Sequence, residues 1–394
     1  MQSTTLMQSP APGSASLAGS STRLALADAP VLLDVRDLTT KFYTVDGVVN
    51  ALNGISYSVD KGECLAIVGE SGSGKTVGVL SILRLIQSPP GRIVGGTINF
   101  KGTDLLKLDD RALREVRGRD ISVIFQDPMT SLNPVMRIGA QITESILARE
   151  KLSRRQARAK AAELLGMVGM DPELYAKRYP KELSGGQRQR VGVARAMAAD
   201  PPVMLMDEPF SAVDPIVRDD LQKEFLRLQS EIGKTIAFVT HDIDEAIKLG
   251  DNVAVLREGG HLAQLGTPQE LLDHPADQFV ADFVGRDRGF RALSFMTAAD
   301  LETEPVTAYV DRQHDVRLVL DGDGRPAGWS VGGSPDLHAL PATFTADDSL
   351  RLVTDLAITS PAGAAVRVDP DGVADGVVAH EAVARHLTSL RQGG

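Results

Sequence analysis

Cysteine is nearly absent: Cys64 is the single one in 394 residues. No internal disulfide can form, so packing and hydrogen bonding must hold the fold, as in a reducing compartment. Cys64 lies in the apolar run 64–68, where a thiol acts as a small hydrophobe rather than a nucleophile. Long apolar runs are also missing. No stretch reaches the roughly 18 to 20 apolar residues that a membrane-crossing helix needs, so any membrane role would come through a partner. Positive charge is in deficit, with a formal net charge of −10. That excludes a broad nucleic-acid surface, which requires excess Lys and Arg to displace counterions. The start lacks the apolar core of a secretory signal peptide. Residues 1–30, rich in Ala, Ser and Pro, read as a disordered tail.

Lysine disappears after Lys248. Residues 292–394 hold 7 arginines against 15 Asp and Glu, and so carry −8 of the total charge. This change of composition marks a second domain over 292–394, after a first over 31–285. The acidic segment contains a repeat. Asp321-Gly322-Asp323-Gly324 with Gly328 matches Asp369-Pro370-Asp371-Gly372 with Gly376 at an offset of 48 residues. Strand-like runs flank each copy, predicting two β-hairpins with Asp/Gly turns in a small α/β module. The turn aspartates lack the closing glutamate of a calcium loop and read as turn chemistry. His314, His338, His380 and His386 lack metal-ligand spacing and read as surface or structural residues.

The first domain alternates short apolar runs (64–68, 121–125, 203–206, 236–239 and 253–256) with amphipathic segments. Runs this short and continuous suit strands buried on both faces. Val79, Leu80, Leu83 and Ile86 share one face of a helix after Gly74, and Ala157, Ala161, Leu164, Leu165 and Val168 share a face of another. The alternation predicts an α/β fold with a mostly parallel sheet.

The strongest motif is Gly69-Glu70-Ser71-Gly72-Ser73-Gly74-Lys75-Thr76, a complete P-loop between a predicted strand and a predicted helix. Its glycines let backbone N–H groups turn inward around phosphate oxygens, and the helix N-terminus adds positive potential. Lys75 is placed to reach the β- and γ-phosphates, and the Thr76 hydroxyl to bind Mg²⁺. The second motif is the run 203–206 followed by Asp207 and Glu208. Two carboxylates at the end of a buried strand need a metal or a partner. Asp207 suits the Mg²⁺ shell, and Glu208 suits a general base toward water. The third is Leu183-Ser184-Gly185-Gly186-Gln187, ahead of a helix with Val191, Ala194 and Ala198 inward.

This third motif resembles the signature of ABC ATPases, and the resemblance covers roughly 31–285 with every family motif in order. It implies an ABC-cassette P-loop NTPase with a helical subdomain over about 127–200. Ser184, Gly185, Gly186 and Gln187 would face the ATP held by the P-loop of a second subunit, identical or not, giving a dimer with ATP and Mg²⁺ at the interface. Gln126 matches the Q-loop, which touches Mg²⁺ or water. Ser211-Ala212-Val213-Asp214 matches the D-loop, with Asp214 at the nucleotide. His241 matches the switch histidine. Either Phe42 or Tyr43 would stack on adenine, Phe42 fitting the family spacing better.

The family's subtypes divide along the chain. Residues 31–146, with Gln126-Asp127-Pro128-Met129-Thr130-Ser131, resemble dipeptide and oligopeptide importer ATPases. From Leu165 onward, including Pro209-Phe210-Ser211 and His241-Asp242-Ile243-Asp244-Glu245, the chain resembles glycine betaine and choline importer ATPases. The repeat after 292 resembles the paired CBS modules of the second group, the first copy being degenerate. The resemblance implies an importer for a quaternary amine such as glycine betaine, choline or proline, or alternatively for peptides. It also implies transmembrane permease subunits, a solute-binding protein and a place at the cytoplasmic face of the membrane. A non-transport ABC ATPase of DNA repair or translation would bring a coiled coil, a zinc module or a second cassette, and none is legible here.

Overall fold

In the computed structural model the described residues are 30–126, 132–211, 213, 215–285, 288–310 and 316–392. All but the last residue of the predicted tail over 1–30, part of the peptide-importer-like run (Asp127 to Ser131), Ala212, Asp214 and His314 lie outside them. The chain divides between Gly285 and Arg286 into two units.

In the first unit, the apolar runs pair into a six-stranded sheet. Strands β1 (Val31–Thr44), β2 (Gly47–Asp60), β3 (Cys64–Gly69), β4 (Gly91–Phe100), β5 (Thr103–Asp104) and β6 (Ile121–Ile124) come first. They are followed by β7 (Val203–Asp207), β8 (Thr235–Thr240), β9 (Asn252–Arg257) and β10 (His261–Gly266). The main sheet has the order β10-β9-β3-β8-β7-β6, parallel except for the antiparallel edge strand β10. Its centre is dry: every residue of β3, β7 and β8 is buried. Burying one Leu, Ile or Val fully is worth about 1.5–3 kcal/mol, which is why these strands carry continuous apolar runs instead of alternation.

A second, antiparallel sheet of order β2-β1-β4-β5 packs its apolar face into the same core, through Leu33, Val35, Leu38, Leu52, Ile55 and Ile98. Sequence reading did not separate this sheet, because β1 and β2 are long and mix buried with exposed positions.

Two boundaries differ from expectation. The helix after the P-loop, α1 (Lys75–Ile82), ends before Leu83 and Ile86. Val79 and Leu83 are buried, but Leu80 and Ile86 are only partly so. Arg84, at φ +51°, takes the left-handed conformation that turns the chain out of the helix. Phe125 lies outside β6 and is 39% exposed.

Between β6 and β7 stand three longer helices, α2 (Ile138–Leu147), α3 (Arg154–Met167) and α4 (Gly185–Ala196). Ala157, Ala161, Leu164, Leu165 and Val168 form the buried face of α3 and its C-cap, and Val191 and Ala194 face inward from α4. A capping box starts α3: the Ser153 hydroxyl accepts from Gln156 N while Gln156 Oε1 accepts from Ser153 N. After β7 comes α5 (Pro215–Ile232), and after β8 comes α6 (Ile243–Leu249).

The second unit carries two antiparallel sheets, β11 (Val316–Leu320), β12 (Pro326–Val331) and β13 (Leu337–His338), then β14 (Ala364–Val368) and β15 (Ala374–Ala379). The helices α7 (Leu350–Thr359) and α8 (His380–Gln392) accompany them. Both repeat copies form the hairpins read from the sequence, and their turns are superimposable in bonding. Asp321 Oδ1 accepts from the N–H groups of Asp323 and Arg325, both at 2.9 Å. Asp369 Oδ1 accepts from Asp371 and Val373, again both at 2.9 Å. Gly324 and Gly372 close the turns at φ +79° and +82°. The hairpins meet through Ala374 N donating to Gly324 O at 3.1 Å. Asp369→Ala removes two hydrogen bonds to a charged acceptor and should destabilise this unit by about 1–3 kcal/mol. Urea unfolding followed by Trp329 fluorescence checks this; an unchanged midpoint would refute the turn account.

Candidate functional site

The order of the parallel strands puts the chemistry-bearing residues side by side. β3 ends in the P-loop, its neighbour β8 in His241, the next strand β7 in Asp207 and Glu208, and β6 leads to Gln126. All are at strand C-terminal ends, where open α/β sheets bind ligands.

The P-loop depends on its glycines. Gly74 has φ +87°, and a Cβ there would lie 2.2 Å from Ala51 O. A Cβ on Gly69 would lie 2.2 Å from Leu256 O. Loop and neighbouring strands therefore approach backbone to backbone, leaving no room for side chains. Ser73 is fully buried, and its Oγ has no hydrogen-bond partner among the described residues. Lys75 is 6% exposed and its Nζ donates to Gly69 O and Glu70 O, both at 2.8 Å. Burial lowers the Lys75 pKa, while Glu208 and Asp207 pull it back up. A buried ammonium held by loop carbonyls beside inward-turned glycines suits a polyphosphate.

Asp207 is 4% exposed. Burial raises its pKa and the Glu208 charge adds to this, while the Thr76 hydrogen bond and Lys75 oppose it. Thr76 Oγ1 donates to Asp207 Oδ1 at 2.8 Å. This joins the second residue of α1 to the end of β7 and presents two hard oxygens together. Such a pair fits Mg²⁺, which binds through one or two protein oxygens and completes its shell with water and substrate phosphate. Among the described residues no group of three or more His, Cys, Asp or Glu could hold a metal unaided.

Glu208 is the point of convergence. Its φ of +45° is a strained conformation for a non-glycine residue. The surroundings impose it: Glu208 N donates to Val239 O at 2.9 Å, and Glu208 O accepts from Ser211 N at 3.2 Å and Ser211 Oγ at 3.0 Å. On the side chain, Gln126 Nε2 donates to Oε2 at 2.9 Å, and His241 Nδ1 lies 3.2 Å from the same oxygen. Gln126 and His241, from two neighbouring strand ends, thus share the Glu208 carboxylate.

The signature residues occupy the start of α4. The Ser184 hydroxyl accepts from Gln187 N at 3.3 Å, and Gln187 Oε1 accepts from Ser184 N at 3.0 Å. Ser184 and Gln187 therefore form a capping box, with Gln187 Nε2 also donating to Tyr175 Oη at 3.1 Å. Ser184 is exposed, Gly185 half-buried and Gly186 buried. Phe42 and Tyr43 follow each other on β1: Phe42 is half-buried against Gly91, and Tyr43 is 49% exposed.

Between β6, α2 and α4 is a cavity of about 270 Å³, lined by Phe125, Ser145, Arg149, Gln189 and Arg195 among others. Burial lowers the Arg195 pKa. Sequence reasoning missed this cavity, and also the buried residues Gln222 and Glu245 beneath His241. The available signal was Glu245 itself, which shares the inward face of a short helix with Leu249 four residues on.

Fold and site together define a P-loop nucleotide-binding cassette. Residues 52–211 match the family model "ABC transporter". The chain is 44% identical to the oligopeptide transport ATP-binding protein OppD of Bacillus subtilis, over 81% of this chain and 87% of that protein. It is 38% identical to the osmoprotectant import ATP-binding protein OsmV of Salmonella typhimurium, over 91% of this chain and 97% of that protein. A dimeric ATP-binding cassette solved in a post-hydrolysis state with ADP and Pi superimposes with a TM-score of 0.54 at 28% identity, covering 60% of this chain and 99% of that one. The chain belongs to the ATP-binding subunits of ABC transporters, which bind ATP and hydrolyse it to power transport. No helix among the described residues is long and apolar enough to cross a membrane.

The buried Asp207 carboxylate sets a pH test. Because its folded pKa is raised, its contribution to stability is full below the ordinary carboxylate range and is lost as pH rises through the raised value. Without nucleotide, Asp207→Asn should therefore melt higher than the parent at pH 8, with the gap closing toward pH 4. A variant that melts lower at pH 8 would contradict this.

Proposed function

We propose that this chain is the ATPase subunit of an importer for a quaternary amine or related compatible solute such as glycine betaine, choline or proline. The observation that carries this reading is the extent of the osmoprotectant relative, which aligns over 91% of the chain and so includes most of the acidic second unit. Choline and glycine betaine transport ATP-binding proteins of Bacillus subtilis, at 43% and 42% identity, support it. The two matching hairpins fit paired CBS-like modules. A peptide importer is the second reading, favoured by the higher identity to OppD and by the peptide-importer-like run around Gln126.

In the proposed site, Lys75 and the backbone of Gly69, Glu70, Ser71, Gly72, Ser73 and Gly74 hold the phosphates, and adenine stacks on the ring of Phe42. Thr76 and Asp207, with Gln126 nearby, would hold Mg²⁺. When bound, that ion neutralises charge on the phosphate oxygens. Glu208 accepts the proton of the attacking water as the terminal P–O bond breaks and ADP leaves with the bond's electron pair. Gln126 and His241 orient the Glu208 carboxylate, His241 also facing the γ-phosphate. Ser184, Gly185, Gly186, Gln187 and Asp214 would complete the site of a partner ATPase subunit, another helix N-terminus serving as an anion site. The cavity beside Phe125 and Gln126 is the proposed seat of a permease segment. Through permease subunits served by a solute-binding protein, the chain would work at the cytoplasmic face of the membrane.

Glu208→Gln should retain ATP binding by fluorescent-nucleotide titration while losing nearly all turnover, and Lys75→Ala should lose binding. Near-normal hydrolysis by Glu208→Gln would remove the base assignment. For the solute, the ATPase of the co-purified transporter in vesicles should be stimulated by glycine betaine or choline; stimulation by dipeptides alone would select the second reading.

A further inference from the structure

The turn that carries His241 is fastened from below by a buried carboxylate outside the nucleotide-binding motifs. Thr240 is 1% exposed and Glu245 is 6% exposed. Thr240 Oγ1 donates to Glu245 Oε2 at 2.6 Å and accepts from Asp242 N at 3.0 Å. A hydroxyl has one proton to give. With that proton committed to Glu245, the oxygen's lone pairs are left to accept the N–H two residues on, closing a turn around His241. Asp242 then caps α6 by accepting from Asp244 N at 2.8 Å. The other Glu245 oxygen accepts from Gln222 Nε2 at 3.2 Å and lies 3.9 Å from Arg218 Nε. Lys248 Nζ donates to Gln222 Oε1 at 2.9 Å and to Asp219 Oδ1 at 2.7 Å. Arg218 Nη2 reaches Val213 O at 3.4 Å, at the start of α5.

Burying a carboxylate is unfavourable unless it is hydrogen-bonded and paired. An apolar residue would hold α6 against the sheet without that cost, so the retained charge calls for a use. One of its oxygens holds the turn whose His241 side chain lies 3.2 Å from Glu208, and the other meets Gln222 and Arg218 on α5. We propose that Glu245 is a positioning residue for ATP hydrolysis: through the Thr240 hydroxyl it fixes the turn that aims the His241 ring at Glu208 and the terminal phosphate. Through Arg218 and Gln222, it also ties that turn to the helix following the Ser211–Asp214 segment. This rests on the assignment of Glu208 and His241 to hydrolysis.

The test uses Thr240→Val, which keeps the side-chain volume and removes the hydroxyl, against Thr240→Ser, which keeps it. In the full chain, Thr240→Val should lower kcat at least 10-fold with the KM for ATP within 2-fold, and Thr240→Ser should stay within 2-fold of the parent in both. His241→Ala should lower kcat further, and adding Thr240→Val to it should cost less than 2-fold more, because both act on one ring. Equal kcat for Thr240→Val and the parent, or a full multiplicative loss in the double variant, would overturn the proposal. If Thr240→Val fails to fold by circular dichroism, Gln222→Leu, which strips the second oxygen of its donor, takes its place with the same double-variant criterion. If His241→Ala hydrolyses ATP normally while Glu208→Gln does not, the His241 assignment falls, this inference falls with it, and the base assignment stands.

Discussion

Three charged groups without full access to water, gathered where parallel strands stop, are the constraint on which the rest of the first unit depends. Lys75, Asp207 and Glu208 lie within mutual electrostatic reach, and burial pushes Lys75 down and Asp207 up. Each pull on the pKa measures how poorly the charged form is accommodated. The protein tolerates this because the surrounding backbone leaves little freedom. Gly69 and Gly74 lie against carbonyls at distances a side chain would forbid. Glu208 keeps its left-handed backbone because Val239 O and Ser211 hold both ends of it. The strand order β3-β8-β7-β6 is the simplest way to bring four loops to one edge while the strand bodies remain an apolar core. A ligand carrying several negative charges together with a divalent cation would relieve both imbalances at once.

Much of this was legible in the sequence because the chemistry is local. A glycine-rich loop between an apolar run and a helix, or an apolar run ending in Asp-Glu, declares its shape within ten residues. The five buried strands of the parallel sheet were legible for the same reason, since continuous apolar runs leave few alternatives. What escaped was non-local. The antiparallel sheet of β1, β2, β4 and β5 has half-exposed strands whose pattern is interrupted by register shifts. Helix α1 stops short of its apolar pattern, because Leu83 and Ile86 cover the core from the turn after it. Glu245 and Gln222 are ordinary surface residues by type. The helix face shared with Leu249 hints that Glu245 points inward, but only the folded chain reveals that it meets Gln222, 23 positions away.

The second unit obeys a different logic. Among the described residues its acids form no metal-holding group; two of them, Asp321 and Asp369, are used up as acceptors inside hairpin turns. The repeat was visible in sequence because turn chemistry depends on the identity of a few residues at fixed spacing. The apolar clusters around Trp329 and Phe344, by contrast, draw on segments before and after both hairpins, and no local pattern announces them. The first unit thus carries the polar site, and the second is built on turns and small cores.

Nucleotide and Mg²⁺ together would complete the charges at the strand ends. The most direct measurement is the melting temperature of the full chain against increasing MgATP, with AMP and with ATP plus EDTA as controls. A ligand that binds the native state alone must raise stability with the logarithm of its concentration. MgATP should give a steady rise, ATP with EDTA a smaller one, and AMP none. A melting temperature indifferent to MgATP at millimolar concentration would contradict it.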